Sequence, residues 1–307
     1  MLLNERVRVM KILVSGLVNI ETTISVKGFP IDYSPIEYPF FGIDSAVSGV
    51  GYNIAKALTT LGDNVKFVSF LANDAEGERV LSQLECDGID TDGISYRLKR
   101  TPVSAVLYDP QGRRRIYCDL KDIQEQSVDP DIVLESGKAC AIAALCNINF
   151  NRDLIKAAKK LGITTATDVH VLGDIDDEYN RDFMENADIL FLSDENIPRE
   201  PKEFVKALYE RYHNRIIVVG MGEKGALLFE AKKTAFSLIP AYNSGKIVNT
   251  VGAGDALFSS FIHFFAKGFE PKAALERAVI FAGIKIGANG ASLGFCTEDV
   301  VEKTAAK

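Results

Sequence analysis

Short apolar runs alternate along the chain with stretches whose apolar residues recur every three or four positions. Residues 11–18 form an apolar run ending in a glycine-containing turn. Residues 46–61 show helical spacing at Val50, Ile54, Ala57, Leu58 and Leu61, closed by Gly62. The pattern then predicts a strand over 65–70, a helix over 76–84 and an almost wholly apolar strand over 139–146. Such an unbroken run is the signature of a central parallel strand buried on both faces. A helix over 153–161 stops at Gly162, and strands follow at 164–167, 189–192 and 216–219, with a helix over 201–212 between the last two. Two long helices, about 254–267 and 271–287, close the pattern. This βαβα order predicts an α/β fold, a doubly wound sheet with helices on both faces.

Two stretches break the rhythm. Residues 20–45 and 95–120 read as extended segments alternating with period two. The second holds apolar positions over 103–108, a turn at Asp109-Pro110-Gln111-Gly112, and a return over 115–118, which is a hairpin. It suits a small β-lid or a decorative surface hairpin equally well. No internal repeat, low-complexity tract or flexible linker interrupts the chain. It reads as one domain over residues 10–307, with residues 1–9 a loose extension.

Composition sharpens this picture modestly. The 307 residues are 47% hydrophobic and 25% charged, ordinary for a globular chain with ample core. The net charge of -7, without a long basic run, argues against a nucleic-acid partner. No stretch approaches the ~20 apolar residues of a membrane span. Cys86, Cys118, Cys140, Cys146 and Cys296 form no CxxC pair or zinc spacing, and Cys140 and Cys146 read as buried thiols in a reducing compartment. The expected location is cytoplasmic.

The chemistry concentrates in Val248-Asn249-Thr250-Val251-Gly252-Ala253-Gly254-Asp255, which runs straight into a helix lined on one face by Leu257, Phe261, Phe264 and Phe265. The first amides of a helix lack intrahelical acceptors, and the helix dipole adds partial positive charge there. Glycine removes the Cβ that would hold a phosphate off the backbone. Asp255 beside such a nest can accept the proton of an attacking hydroxyl. In a loose phosphoryl-transfer transition state, positioning matters more for that task than base strength. Taken alone, the motif also reads as a glycine-rich helix cap.

The segment resembles the C-terminal signature of the ribokinase-like (PfkB) carbohydrate kinases, D-T-x-G-A-G-D, and the resemblance extends in order along the chain. Gly16-Leu17-Val18-Asn19-Ile20-Glu21 is similar to the family's G-x-x-N-x-D. Ser48-Gly49-Val50-Gly51-Tyr52-Asn53-Ile54-Ala55 is similar to its G-G-x-x-x-N-x-A, and Gly220-Met221-Gly222-Glu223-Lys224-Gly225-Ala226 to its strand–turn–strand nucleotide loop. The resemblance implies a three-layer α/β/α sandwich with a small β-lid, and transfer of a phosphoryl group from ATP, with Mg2+, to a sugar or nucleoside. Asp255 would be the base, and the amides of Gly252, Ala253 and Gly254 the anion hole. Asn19, Glu21, Gly49 and Asn53 would bind substrate hydroxyls, with Asn149 near another contact. Gly222 and Gly225 would line the ATP site, beside the end of the 278–290 helix. The hairpin would be the lid, which in this family often pairs two subunits into a homodimer.

Departures qualify these implications. Asn249 stands where the family has an Asp associated with activation by monovalent cations. The family's N-x-x-E, which organises magnesium through water, falls on Ser193-Asp194-Glu195-Asn196, so Asp194 or Glu195 would serve by a one-position shift. Ser48 replaces a Gly, and Glu21 lengthens an Asp. Val50 and Tyr52 would make the pocket more apolar, leaning toward a nucleoside. A non-catalytic sensor of sugars or nucleotides is the rival from a different class.

Other motifs are excluded or stay open. Gly220, Gly222 and Gly225 match the letters of a dinucleotide fingerprint, but an apolar strand follows where a helix is required. No G-x-x-x-x-G-K-[ST] is present. His170 is either a satisfied structural histidine or a substrate contact at a strand end. Arg115 is either a solvated hairpin residue or an anion contact. His263 lies two turns beyond Asp255, away from the chemistry.

Overall fold

The computed structural model describes residues 9–137, 139–245 and 247–307. The extension expected over residues 1–9 lies, except for Val9, outside the described residues. In chain order the elements are β1 (Lys11–Ser15), β2 (Asn19–Ser25), β3 (Ile43–Ser48), α1 (Val50–Leu61), β4 (Asn64–Ala72), α2 (Ala75–Cys86) and β5 (Ile94–Leu98). Then come β6 (Val103–Tyr108), β7 (Arg114–Asp119), α3 (Pro130–Gly137), β8 (Ile142–Leu145), α4 (Arg152–Lys160), β9 (Thr164–Val171) and α5 (Arg181–Asn186). The remainder is β10 (Ile189–Ser193), α6 (Pro201–Tyr212), β11 (Ile216–Gly220), β12 (Ala226–Glu230), β13 (Ala235–Ile239), α7 (Ala253–Ala266), α8 (Pro271–Lys285) and α9 (Glu298–Ala305).

Nine strands form the central sheet in the order β13-β12-β11-β10-β9-β8-β1-β4-β5. The pairs from β11 through β5 are parallel, and β12 and β13 add an antiparallel edge. Alternate residues of each central strand enter opposite cores. Ile12, Ile142, Ile189 and Val218 pack with α1, α7 and α8, while Leu13, Ala143, Leu190 and Val219 pack with α4, α5 and α6. Burial on both faces explains why these strands read as unbroken apolar runs. The result is the expected three-layer α/β/α sandwich.

A second sheet of four strands, β3-β2-β6-β7, stands apart from the first. β2 pairs antiparallel with β3 and parallel with β6, and β6 with β7 makes the expected hairpin. This is the lid sheet. Several element boundaries differ from the sequence pattern. Residues 46–48 belong to β3, and the helix begins only at Val50, because Gly49 breaks the chain with a φ of 105°. Residues 94–98, grouped with the lid by their alternation, pair instead with β4 at the edge of the central sheet. Residues 26–42 join β2 to β3 without regular structure. The short helices α3, α5 and α9 were not evident from periodicity, being 8, 6 and 8 residues long.

Candidate functional site

The site lies where the ends of β1, β9 and β10 meet the first turns of α1 and α7. α7 is buried almost all round, from Asp255 to Phe264. Phe258 and Phe261 meet Phe191 of β10 edge to face, with ring centroids 5.1 and 5.2 Å apart. That packing fixes the helix whose first turn carries Asp255. Gly252 caps it in the left-handed region at φ 76°, and a Cβ there would sit 2.4 Å from the carbonyl oxygen of Ala291. Only glycine suits both demands.

The helix start offers unpaired donors. Ala256 N–H bonds to Gly252 O, and Ala253 N–H bonds to Thr250 O at 3.1 Å. Among the described residues the amides of Gly252, Gly254 and Asp255 take no acceptor. The expected nest therefore shifts by one member: the Ala253 amide is spent within the turn, and the Asp255 amide stands in its place. Three free amides at a helix N-terminus are a binding geometry for phosphate oxygens.

Asn53, in the first turn of α1, donates through Nδ2 to Asp255 Oδ2 at 2.7 Å across 202 residues of sequence. Gly49 and Gly51 let α1 begin there. A Cβ on Gly51 would sit 2.5 Å from the carbonyl carbon of Gly16, so the helix start touches the turn after β1. Burial pushes the Asp255 carboxyl above its ordinary range; nearby His170 and the Asn53 bond oppose the shift, and Asp168 adds to it. Glu21 is also raised by burial, against a hydrogen bond from Ser48 Oγ at 3.3 Å, and the Asp255 charge adds to the rise. Asn19 is buried with its Nδ2 on Ser104 Oγ at 3.0 Å. Asn19 Oδ1 and Asn53 Oδ1 are both buried with no donor among the described residues. Buried acceptors left this way suit the hydroxyls of a small polar ligand.

Not every expected residue joins this cluster. Asn149 opens a 3-10 turn, and its side chain donates to Gln124 O at 3.2 Å and accepts from Arg152 Nε at 3.1 Å, so its polar atoms are engaged. Tyr52 faces the core, with its hydroxyl on Asp87 at 2.5 Å. The nucleoside lean thus loses one of its two supports, because alternate residues of the α1 start face opposite ways. Ser193, Asp194 and Glu195 stand at the end of β10, where Ser193 Oγ accepts from the Glu195 amide at 3.2 Å. Among the described residues no group of three or more His, Cys, Asp or Glu side chains is placed to hold a metal. Gly222 and Gly225 shape the turn between β11 and β12, and a Cβ on Gly225 would collide with Ile239 O at 2.0 Å. Beside that turn a cavity of about 460 Å³ is lined by Leu238, Pro240, Tyr242, Val279 and Ile280.

The structure also brings in residues that sequence reading set aside or passed over. His170 adopts φ 58° at the end of β9, its Nδ1 3.6 Å from Asp168 Oδ2, and its charge bears on Asp255. Its place after a strand was the available signal. Asp168 Oδ2 also lies 3.9 Å from where a Cβ on Gly254 would be. Lys285, wholly buried, bears on Asp255 and Glu21. His263 is buried as expected away from the chemistry, its Nδ1 2.8 Å from Asp63 Oδ2. Arg115 lies over the Tyr117 ring.

This architecture, a ribokinase-like sandwich with a lid sheet over a glycine-capped helix, is matched by known proteins. The model of the pfkB family carbohydrate kinases matches residues 11–298. The chain belongs to that family of ATP-dependent phosphotransferases, as a sugar or nucleoside kinase. It is 25% identical to the deoxyribokinase of Salmonella typhi over 296 residues, 92% of this chain and 94% of that one. Among solved structures it is similar to a putative ribokinase from Agrobacterium tumefaciens, with TM-score 0.86, 20% identity and 97% and 98% of the two chains covered. A putative ribokinase II from E. coli, in complex with ATP and Mg2+, matches with TM-score 0.78, 22% identity and 96% and 98% coverage. No helix among the described residues is long and apolar enough to cross a membrane.

Proposed function

We propose that this kinase moves the γ-phosphoryl group of ATP onto a primary hydroxyl of a sugar or nucleoside, with Asp255 as the base. The observation that carries the reading is the Asn53–Asp255 hydrogen bond, which joins the two glycine signatures into one centre. The acceptor hydroxyl is held by Asp255, within reach of Asn19, Glu21, Gly49 and Asn53. Its oxygen attacks the γ-phosphorus, the bond to the bridging oxygen of ADP breaks, and the hydroxyl proton passes to Asp255. The amides of Gly252, Gly254 and Asp255 receive the charge on the transferring group, a fixed arrangement that costs no reorganisation during reaction.

Two features support a site for a nucleoside triphosphate: the free amides, and the cavity between β13 and α8, beside the turn where Gly225 lets the backbone of residues 239–241 pack closely. We assign the adenine to that cavity, with Ser193, Gly222 and Gly225 on the nucleotide side. Asp194 and Glu195 are the residues that would hold Mg2+ through water, and the ion would supply charge neutralisation. Few protein ligands are needed, since Mg2+ at phosphates keeps several waters. The lid sheet closes over the acceptor and excludes water as a competing nucleophile. The exposed apolar residues Tyr33, Ile36, Tyr38, Phe40 and Phe41 between β2 and β3 are assigned to pairing of two lids in a homodimer.

The test is ADP release with Mg2+ and ATP across a panel of pentoses, hexoses, deoxy sugars and nucleosides. Turnover of one class, with phosphate found on its primary hydroxyl, is the expected result. Tight ATP binding with no ADP release from any acceptor would favour a non-catalytic sensor instead.

A further inference from the structure

The mechanism above leaves a buried charge beside its own centre without a task. Lys285, the last residue of α8, has no exposed surface. A buried ammonium costs stability unless its donors are well used. Its Nζ donates to Val251 O and, at 2.7 Å, to Gly290 O. Val251 immediately precedes Gly252, and Gly290 immediately precedes Ala291, whose carbonyl presses on Gly252. The ammonium therefore ties together the two backbone segments that clasp the glycine at the start of α7. The charged groups facing it are Asp255 from α7 and Glu21 from β2.

We propose that Lys285 is a positioning residue for phosphoryl transfer: by bridging the Val251 and Gly290 carbonyls, its ammonium holds the free amides of Gly252, Gly254 and Asp255 on the phosphoryl group. The inference rests on the reading of this site as the transfer centre. Backbone oxygens on a buried cation make a rigid tie, and a displacement of 1 Å at a reacting centre costs about 10²-fold in rate. Burial draws the lysine down to about 8, against the opposing pull of Asp255 and Glu21. A lysine shifted downward is charged below that value and neutral above it. The tie is intact at neutral pH and weakens as pH rises through about 8.

The experiment pairs Lys285→Met with the wild-type chain and reads inorganic phosphate binding by 31P NMR titration at several pH values, beside steady-state kinetics. The wild-type chain is expected to lose about tenfold in phosphate affinity between neutral and strongly alkaline pH, as an ammonium tie is lost. Lys285→Met is expected to bind phosphate weakly at every pH, with kcat lowered about 10²-fold and acceptor KM little changed. Phosphate affinity in the variant equal to wild type, with the same pH dependence, would overturn the proposal. Should Lys285→Met not fold, the wild-type profile decides: phosphate affinity flat across the alkaline range, with the fold intact by circular dichroism, contradicts it. The phosphate arm needs no acceptor, so it reads Lys285 even if the acceptor panel gives no turnover.

Discussion

Asp255 sits in surroundings that lift its carboxyl above that of an exposed aspartate. Its carboxyl is raised by burial and partly restrained by Asn53 and His170. Only the ionised form accepts the acceptor's proton. The acid limb of kcat/KM is therefore expected above the value of about 4 typical of an exposed Asp, read from a pH–rate profile. A limb at or below the ordinary value would contradict the burial argument. The stability sign runs the other way. A carboxyl raised in the folded state favours the neutral form, so its contribution is full below the unfolded value and lost as pH rises through the folded one. At pH near 7 the neutral isostere in Asp255→Asn is thus expected to melt at or above the wild-type temperature. Gly252→Ala should do the opposite, since it forces a Cβ against Ala291 O at φ 76°. A loss of about 1–3 kcal/mol in urea denaturation is expected, with activity falling alongside. That Asp255 and Asn53 belong to one centre was legible in the sequence because glycines marked the turns around them. Lys285 was not, since a lysine at a helix C-terminus ordinarily answers the dipole in solvent, and nothing local reveals that this end is buried.

At the scale of elements, α7 is the part that matters most. It is apolar on nearly every side because α1, α8 and the sheet enclose it. Phe261 is fully buried, packed on Phe191 and stacked on Phe265 at 5.7 Å. Phe261→Ala is expected to cost about 3–5 kcal/mol in chemical denaturation; a cost under ~1 kcal/mol would show that the helix is held by other means. The central strands were readable because burial on two faces leaves unbroken apolar runs. β5 was misplaced for a physical reason: Ile94–Leu98 alternates like a lid strand, and only its parallel pairing with β4 across α2 puts it on the central sheet. The start of α1 was misjudged because Ala46, Val47 and Val50 satisfy helical spacing, while the left-handed turn at Gly49 divides them. The engagement of Asn149 could not be read from its neighbourhood alone, because Gln124, one of its two partners, sits 25 residues away.

Across the whole molecule, the fold brings residues 200 positions apart to one cleft and leaves an apolar lid edge in solvent. Phe40, Phe41, Tyr33 and Tyr38 are all more than 70% exposed. Exposed apolar side chains grouped this closely along the chain support the proposed pairing of lids. Sedimentation is expected to give a species of about twice the 33.6 kDa chain mass, reverting to monomer when Phe40 and Phe41 are replaced by Ser. A wild-type monomer at high micromolar concentration would contradict lid pairing. The centre itself is tested most directly by the steady-state kinetics of Asp255→Asn with the acceptor found in the panel. The account predicts kcat lowered by about 10²–10⁴-fold with KM for both substrates nearly unchanged. A variant turning over close to the wild-type rate would show that another group takes the proton.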